Sequence, residues 1–505
     1  MTEKMLVGRQ ASMVKDAWLA SVVLSRGFGT AGPLCCSGRR PPPRLSTRFL
    51  AVQRPPWPDS PLTATLGEED WIWDRQIETA SAEHVLAACD QSWNDQTARL
   101  LARSAFYRAK FEEAGVRLGS VKSVLDLPFL PTTTKEETRL SQDQHPPYGD
   151  YLGVDPAEVK RVFSTSGSSG RPNLIALTVP DLETWNQLGA RSYYATGVRS
   201  HHSVLTTFGA GPFVAGNTHN VLDVIGCRRV PVGPGDTERV MNALRSGLVD
   251  TLLGTASFPL HLVSVLAERG IDGPGLGLRH VVTGGEPGGG IPAVRRRIEE
   301  GFGCTVTEIA GIGDLAPSLF GECPMQGGLH FCGQGLIWPE LIDLTTDQAV
   351  AFEPGRSGEL LFTALRREAM PLVRFRSRDI AEVQDGPCEC GRTSFRIRIV
   401  GRVDDMFIVR GVNVYPSAVQ AVVAEFQPAV TGRARIVLPI GGGVGVEPPV
   451  PVEVEVPTDR AVPDGLSDRI AEAIRAGLLF RASVTLVPHR QFGEAGYKTK
   501  LLVRR

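Results

Sequence analysis

A run of small hydroxyl residues and glycines is the part of the chain whose residue types and spacing suggest chemistry most directly. It reads Ser164, Thr165, Ser166, Gly167, Ser168, Ser169 and Gly170, and Arg171 and Pro172 follow it. Because glycines let backbone amides approach a phosphate, and hydroxyls with one cation complete the shell, this Ser/Gly loop predicts a phosphate cradle. No Lys-Ser or Lys-Thr pair closes it, which excludes the common P-loop. A flexible surface turn is the alternative.

Further motifs follow the Ser/Gly loop in a fixed order. They are Gly284-Gly285-Glu286-Pro287, residues 308–317, residues 374–379 and residues 401–405. The set is similar to the adenylate-forming superfamily of acyl-CoA synthetases. Within that superfamily, Cys388-Glu389-Cys390-Gly391-Arg392-Thr393 and residues 401–416 resemble the phenylacetate-CoA ligase family closely. The resemblance covers residues 65–505.

The resemblance implies roles for residues in each motif. The Ser/Gly loop would wrap the phosphates of ATP, and Asp379 with Arg402 would hold the ribose, since a carboxylate accepts hydrogen bonds from paired hydroxyls. Asp404 occupies the position of the interdomain hinge. The adenine pocket would be lined by Gly285, Glu286, Pro287, Ala310 and Gly311. The alternatives are that Asp379 is a loop carboxylate paired with neighbouring arginines, and that Asp404 is a hydrated surface residue.

Lys498 stands in Gly496-Tyr497-Lys498-Thr499-Lys500, at the place of the family's C-terminal lysine motif. Attack of a carboxylate on the α-phosphorus brings two anions together, so a cation there stabilises the transition state. The resemblance therefore makes Lys498 the catalytic candidate. Lys500 is close enough to compete for the assignment, and a solvated basic terminus is the alternative for both.

One motif departs from the family pattern. Where the family has Tyr-Gly-x-Ser/Thr-Glu, this chain has Ala310-Gly311-Ile312-Gly313-Asp314, so an aromatic face for adenine is missing and Asp replaces Glu. Asp314 is still a candidate magnesium ligand, because magnesium takes one or two carboxylates together with phosphate oxygens. A protein that binds nucleotide without catalysis is the competing interpretation.

Three cysteines and one histidine form a candidate metal site: Cys323, His330, Cys388 and Cys390. Three thiolates and an imidazole make a closed tetrahedral shell suited to structural zinc, and the arrangement resembles that of metal-binding members of the family. Cys332 is the substitute ligand. Buried free cysteines are the alternative.

The glycine-rich residues 208–219, which follow a predicted strand, are the candidate substrate pocket. The resembling family forms its acyl pocket in this region. Aromatic walls with glycines leave a flat slot for an aryl acid, and the candidate residues are Phe208, Gly209, Phe213, Asn217 and His219. A glycine-rich connection between two core phenylalanines is the alternative. The sequence does not separate phenylacetate from a benzoate or an anthranilate.

Length and patterning predict the elements that position these residues. The helical spacing of Leu86, Trp93 and Leu100 predicts a packed helix. Strand-like runs such as residues 278–283 alternate with helical ones up to residue 400, which favours a large multi-layer α/β domain. The remaining pattern predicts a small α+β domain with a strand, a helix, two strands (residues 434–439 and 450–456), a helix (466–478) and a strand (483–487).

We expect a disordered extension over residues 1–62, an AMP-binding domain over residues 65–400 and a mobile domain over residues 402–505. The 505 residues carry a net charge of −1, which does not favour nucleic acid or anionic membranes as partners. Nine cysteines without a secretory signal favour a cytoplasmic protein, and a homodimer stays open.

Together these features predict an AMP-forming ligase. ATP and a small, aromatic carboxylic acid would give an acyl-adenylate and pyrophosphate, and coenzyme A would then take the acyl group. The alternatives keep adenylation but use a carrier-protein thiol, an amine or a deazaflavin hydroxyl as acceptor.

Overall fold

A computed structural model describes residues 71–165, 173–233, 236–410, 412–440, 445–458, 460–489, 491–492 and 500–505. The expected extension over residues 1–62, residues 166–170 of the Ser/Gly loop and Lys498 lie outside these ranges. All described residues belong to one compact unit, residues 50–505. No helix among them is long and apolar enough to cross a membrane.

Helix starts in this chain carry clear local signals. Thr134 and Thr178 each accept a hydrogen bond from the backbone three residues on, while Glu137 and Asp181 reciprocate, so two helices begin with a capping box. The described helices are α1 (Arg75–Glu78), α2 (Ala82–Arg103), α3 (Ala105–Glu113), α4 (Lys135–Gln144), α5 (Val179–Ala195), α6 (Thr218–Ile225), α7 (Thr237–Arg245), α8 (Ser257–Glu268), α9 (Pro292–Phe302), α10 (Pro416–Ala424) and α11 (Leu466–Leu478).

The strands before residue 403 form one hairpin and one large sheet. The hairpin pairs β1 (Arg161–Ser164) with β2 (Leu174–Leu177). The sheet contains β3 (Ser203–Thr206), β4 (Arg228–Pro231), β5 (Thr251–Gly254), β6 (His280–Thr283), β7 (Thr305–Ile312), β8 (Ala316–Glu322), β9 (Leu329–Phe331), β10 (Ile337–Ile342), β11 (Ala349–Val350), β12 (Ser357–Ala364), β13 (Phe375–Val383) and β14 (Arg396–Arg402). Its order is β11-β10-β12-β13-β14-β9-β8-β7-β6-β5-β3-β4. This mixed architecture confirms the predicted α/β fold class.

One half of the large sheet is parallel, and this half positions the candidate site. Strands β4, β3, β5, β6 and β7 run in the same direction, and β3, β5 and β6 are buried along their whole length. Parallel strands need helical crossovers and bury both faces, which is why these strands are short, continuous apolar runs. Their carboxyl ends meet at one edge, where open α/β sheets bind ligands.

The antiparallel half of the sheet holds the largest apolar core. The long helix α2 covers it with Trp93 and Leu100, which are fully buried in the same core as Phe320 and Phe331 of the sheet. The helical spacing of these apolar residues predicted this buried face. The α2 helix therefore contributes to the core of the antiparallel half of the sheet.

The residues after 403 form a separate small sheet with its own core. A hairpin pairs β15 (Phe407–Val409) with β16 (Val412–Val414), and four strands follow in the order β19-β18-β17-β20. These are β17 (Ala434–Leu438), β18 (Val450–Val456), β19 (Ala482–Pro488) and β20 (Leu502–Arg504). The helices α10 and α11 pack Val419, Val423, Ile470 and Ile474 against this sheet. The strand–helix–strand–strand–helix–strand order expected from sequence is present with two added strands. They are β16, which completes the first hairpin, and β20, which pairs parallel to β17.

Candidate functional site

The first two residues of the Ser/Gly loop are held by backbone hydrogen bonds. The N–H of Thr165 donates to the carbonyl of Asn173 at 3.0 Å, where the β1–β2 hairpin closes. The N–H of Ser164 donates to the carbonyl of Pro212 at 2.7 Å. The structure therefore brings the start of the loop against residues 208–219, the predicted substrate pocket.

Asp314 lies at the carboxyl end of β7 beside the Ser/Gly loop, and both of its carboxylate oxygens have partners. Oδ2 is 2.6 Å from Nζ of Lys135, and Oδ1 accepts a hydrogen bond of 2.8 Å from Nδ2 of Asn173. Nζ of Lys135 is also 3.3 Å from Oγ1 of Thr165. Lys135 was missed by the sequence analysis, because a lysine that follows a helix cap carries no functional signal by itself.

A small cavity lies behind Asp314, away from residues 208–219. Its volume is about 220 Å³, and Asp314, Asn173, Tyr151 and Arg367 supply polar lining. Arg367 is buried, and burial lowers the pKa of its guanidinium below the ordinary value, while Asp181 opposes that shift. Its Nη1 donates to the carbonyl of Leu315 at 3.1 Å. Asp314 thus has cationic groups on two sides.

The predicted adenine residues lie at the ends of β6 and β7. Gly285 has φ +84°, a left-handed conformation that glycine adopts without strain. A Cβ on Gly311 would clash with the carbonyl group of Pro317, so the close approach of the two strands requires glycine there. Ala310 is half-buried on β7. Residue 310 therefore offers no aromatic face to an adenine ring.

The side chain of Glu286 stabilises the start of α8. Its Oε1 accepts a hydrogen bond of 2.7 Å from the N–H of Ser257, the first residue of α8, where the positive end of the helix dipole favours a carboxylate. Glu286 and Pro287 also line a cleft of about 400 Å³ that reaches Gln420 and Arg433 of the small sheet region.

Asp379 and Arg402 face each other across β13 and β14. Nη1 of Arg402 donates to Oδ1 of Asp379 at 2.8 Å, and its Nε and Nη2 donate to the two oxygens of Asp404 at 2.9 and 3.0 Å. Burial alone would lower the pKa of Arg402, but Asp379 and Asp404 outweigh it and raise the pKa above its ordinary value. The ion pair holds Asp379 in place, and the ribose and hinge roles stay predictions.

The side chain of His219 makes contacts that stabilise the segment of residues 208–219. Nε2 of His219 is 3.0 Å from the carbonyl oxygen of Phe208, and its Nδ1 is 3.3 Å from Nη1 of Arg229. Phe208 and Asn217 are buried, whereas Phe213 is 38% exposed. In the described part of the chain, Nδ2 of buried Asn217 has no hydrogen-bond partner. Of the two polar candidates, Asn217 has an uncommitted donor and His219 holds the loop.

The four predicted metal ligands come together behind the sheet. The Cys/His cluster (Cys323, His330, Cys388 and Cys390) is buried, and one donor atom from each residue lies within 4.8 Å of the others. Cys323 Sγ is 3.5 Å from Cys388 Sγ, and Cys390 Sγ is 3.4 Å from His330 Nε2. Contacts with Cys323 and Cys388 lower the pKa of Cys390. Cys332, the substitute ligand, directs its thiol to the carbonyl of His330 and lies outside the cluster.

Strand pairing explains this convergence. Cys323 follows β8, His330 lies on β9, and β14 pairs Arg396 with His330 just after the turn that carries Cys388 and Cys390. Sequence reasoning missed one neighbour, the buried Arg392, whose Nη1 is 3.7 Å from Cys390 Sγ and whose Nε is 2.8 Å from Glu78. This arginine supports thiolate character at Cys390.

Comparisons with known proteins give a consistent result. The chain is 32% identical over 406 residues to the phenylacetate-coenzyme A ligase of Thermus thermophilus, covering 80% of this chain and 89% of that protein. It is 32% identical over 355 residues to the enzyme of the same name from Escherichia coli, covering 70% and 78%. No protein-family model matches.

Among solved structures, a similar one is 2-hydroxyisobutyryl-CoA ligase in the postadenylation state in complex with R3-HIB-AMP. Its TM-score is 0.77 at 25% identity, with 88% of this chain and 94% of that chain covered. The same ligase in the thioesterification state, with 2-HIB-AMP and CoA, gives 0.62 at 25% identity, with 87% and 94% covered. The present arrangement is therefore more similar to the postadenylation state.

Proposed function

Because the chain belongs to the phenylacetate-coenzyme A ligase family, we propose that it joins a small, aromatic carboxylic acid to coenzyme A at the expense of ATP. A carboxylate oxygen attacks the α-phosphorus, the bond to the β-phosphate oxygen breaks, and pyrophosphate leaves. The coenzyme A thiol, losing its proton, then attacks the acyl carbon, and AMP leaves. The observation that carries the proposal is 32% identity over 80% of the chain to a phenylacetate-coenzyme A ligase.

The roles that we propose for individual residues follow the family's motifs. The Ser/Gly loop, from Ser164 onward, holds the phosphates, Asp379 binds the ribose hydroxyls, and residues 208–219 receive the acid. Lys498 supplies the cation for the first half-reaction. The exposed ring of Phe213 and the uncommitted donor of Asn217 support an aryl acid with a polar substituent.

Magnesium fits the phosphate end. Asp314 presents a carboxylate next to Thr165, and magnesium binds through one or two carboxylates plus phosphate oxygens. When bound, the metal neutralises charge on the phosphates. The residues of this chain orient the nucleotide and exclude water from it.

Zinc fits the Cys/His cluster. The donor set is three thiols and one imidazole, all buried and mutually within 4.8 Å, which matches a closed tetrahedral structural site. The ligands would be Cys323, His330, Cys388 and Cys390. Because four protein donors leave no open position, the metal would stabilise the fold and take no part in the reaction.

A turn of the C-terminal domain, residues 402–505, against residues 65–400 would separate the two half-reactions. Its support is the 0.77 and 0.62 TM-scores against two states of one ligase, and Asp404 is the proposed pivot. A cytoplasmic location, a homodimer and a carrier-protein acceptor stay predictions from the sequence.

The test is acid-dependent pyrophosphate release over phenylacetate, substituted benzoates and aliphatic acids, with and without coenzyme A. We expect release with one aryl class, a thioester product with coenzyme A, and adenylation slower by about 100-fold or more in Lys498→Ala. Lys500→Ala is the matched control and keeps most of the rate. ATP binding without release for any acid would contradict the proposal and favour a non-catalytic nucleotide-binding protein.

A further inference from the structure

Lys135 is in direct contact with Asp314, and no motif accounts for it. Lysine is rare in this arginine-rich chain. Lys135 is the first residue of α4, and its side chain is 27% exposed while that of Asp314 is 10% exposed. The contact lies beside Thr165 at the start of the Ser/Gly loop and therefore faces the proposed phosphate end.

The charges near Lys135 explain why a cation is favourable at this position. A bare carboxylate beside a triphosphate would repel it by about 4 kcal/mol per charge at about 4 Å, at an effective dielectric of about 20. Lys135 neutralises Asp314 at 2.6 Å. The N-terminus of α4, whose capping box engages Thr134 and Glu137, adds a partial positive charge at the same place.

The number of N–H donors on the Lys135 ammonium group also matters. A lysine ammonium has three N–H donors, and Asp314 and Thr165 take two of them. Among the residues that the structure describes, no other acceptor contacts this ammonium group, and its side chain is 27% exposed. A compact ammonium suits a single phosphate oxygen better than the planar guanidinium that this chain uses elsewhere.

We propose that Lys135 binds the pyrophosphate end of ATP, holding Asp314 and Thr165 with two of its N–H groups and donating the remaining one to a β- or γ-phosphate oxygen. This inference rests on the proposed function. It adds to the site a nucleotide-binding cation from the amino-terminal side of the Ser/Gly loop, independent of Lys498.

The test compares Lys135→Met with Lys110→Met in the full chain. Lys110 pairs with Glu137 of the same helix, so its loss is a matched removal of a lysine–carboxylate bridge to α4. We expect Lys135→Met to raise the Kd for ATP in calorimetry and the KM for ATP by roughly 10-fold or more, with the KM for the acid within about 2-fold. Lys110→Met should leave all three values nearly unchanged. If Lys135→Met is unstable, Lys135→Gln, which keeps a donor without charge, takes its place.

A double substitution separates binding from charge neutralisation. In an Asp314→Asn background, Lys135→Met should still weaken ATP by roughly 5-fold or more, because the contact with phosphate is lost. No further loss in that background would mean that Lys135 acts only through Asp314 and would overturn the inference. Unchanged ATP affinity with a lower Tm would overturn it as well. Failure of the unmodified protein to bind ATP would instead contradict the proposed function.

Discussion

Two polar clusters follow neighbouring strands of the same sheet and are built in opposite ways. Asp314 follows β7, is 10% exposed at its side chain, and has its charge matched by Lys135 and its second oxygen bonded by Asn173. Cys323 follows β8, is fully buried, and meets the other members of the Cys/His cluster. The Asp314 cluster is partly exposed and its charges are paired, as expected of a site that binds and releases a ligand. The Cys/His cluster is buried, and its thiolates need a permanently bound cation to be stable.

We expect the largest effect from a substitution in the Cys/His cluster. Cys388→Ser should abolish stoichiometric zinc and lower the free energy of unfolding by more than about 4 kcal/mol, since loss of a metal belongs to the most destabilising changes. Metal content by mass spectrometry and Tm by calorimetry measure this. Cys332→Ser, also buried but outside the cluster, should keep the metal. Metal-free protein with an unchanged Tm would contradict the structural role.

Asp314→Ala tests the other polar cluster, formed by Asp314, Lys135 and Asn173. We expect kcat/KM for ATP to fall about 100-fold, near ~2.7 kcal/mol, with a Tm change smaller than that of Cys388→Ser. Steady-state pyrophosphate release and calorimetry on the same samples measure both. Glu238→Gln removes an exposed ion pair with Arg269 and should change neither value appreciably. If Asp314→Ala lowered the Tm as much as Cys388→Ser, the proposed difference between the two clusters would be wrong.

The strand that leads to Asp314 also carries a half-buried carboxyl group, Glu308, whose titration tests the contrast further. Burial raises the pKa of Glu308 from 4.5 to about 7, and the neighbouring Glu322 adds to the shift. The folded state binds this proton more tightly, so its stabilisation is complete below about pH 4.5 and is lost as the pH rises through about 7.

Glu308→Gln removes that titration. The Tm of the variant relative to the unmodified protein should therefore rise between about pH 5 and pH 8, by a difference on the order of 1 to 3 kcal/mol in the free energy of unfolding. Thermal unfolding at several pH values across this range measures it. Parallel pH profiles would show that Glu308 titrates normally.

The smallest expected effect concerns the missing aromatic face. Ala310→Tyr should lower the KM for ATP about 3- to 10-fold, because stacking of an aromatic ring on a base contributes about 1 kcal/mol or more. Initial rates over an ATP series measure the change, and Ala310→Leu controls for added size. A KM that does not fall would mean that residue 310 does not face the base.

Strongly periodic segments were predictable from the sequence. The strand Val450–Val456 and the helix Leu466–Leu478 have the bounds that their patterns predicted, because alternation and a helical apolar stripe leave one solution. The strand expected from Leu278 begins at His280. Strand β20 was missed, since three residues carry little pattern and its stability comes from pairing with β17.

The candidate site divides in the same way. Motif residues such as Asp314 and the cluster cysteines were identifiable because their types and order are unusual. The contacts of Lys135 and Arg392 were not predictable, because each residue acts through a partner 179 or 314 residues away in the sequence. Such pairs depend on the completed fold and have no local signature.

The short strand β20 sets a limit on where the proposed catalytic lysine can be. Residues 502–504 are fixed beside β17 by parallel pairing from Ile436↔Leu502 to Leu438↔Arg504. Four residues of extended chain reach about 14 Å, so Lys498 stays within that radius of Leu502. A substitution that frays β20 would release this tether, and we expect it to slow the proposed adenylation without altering Lys498 itself.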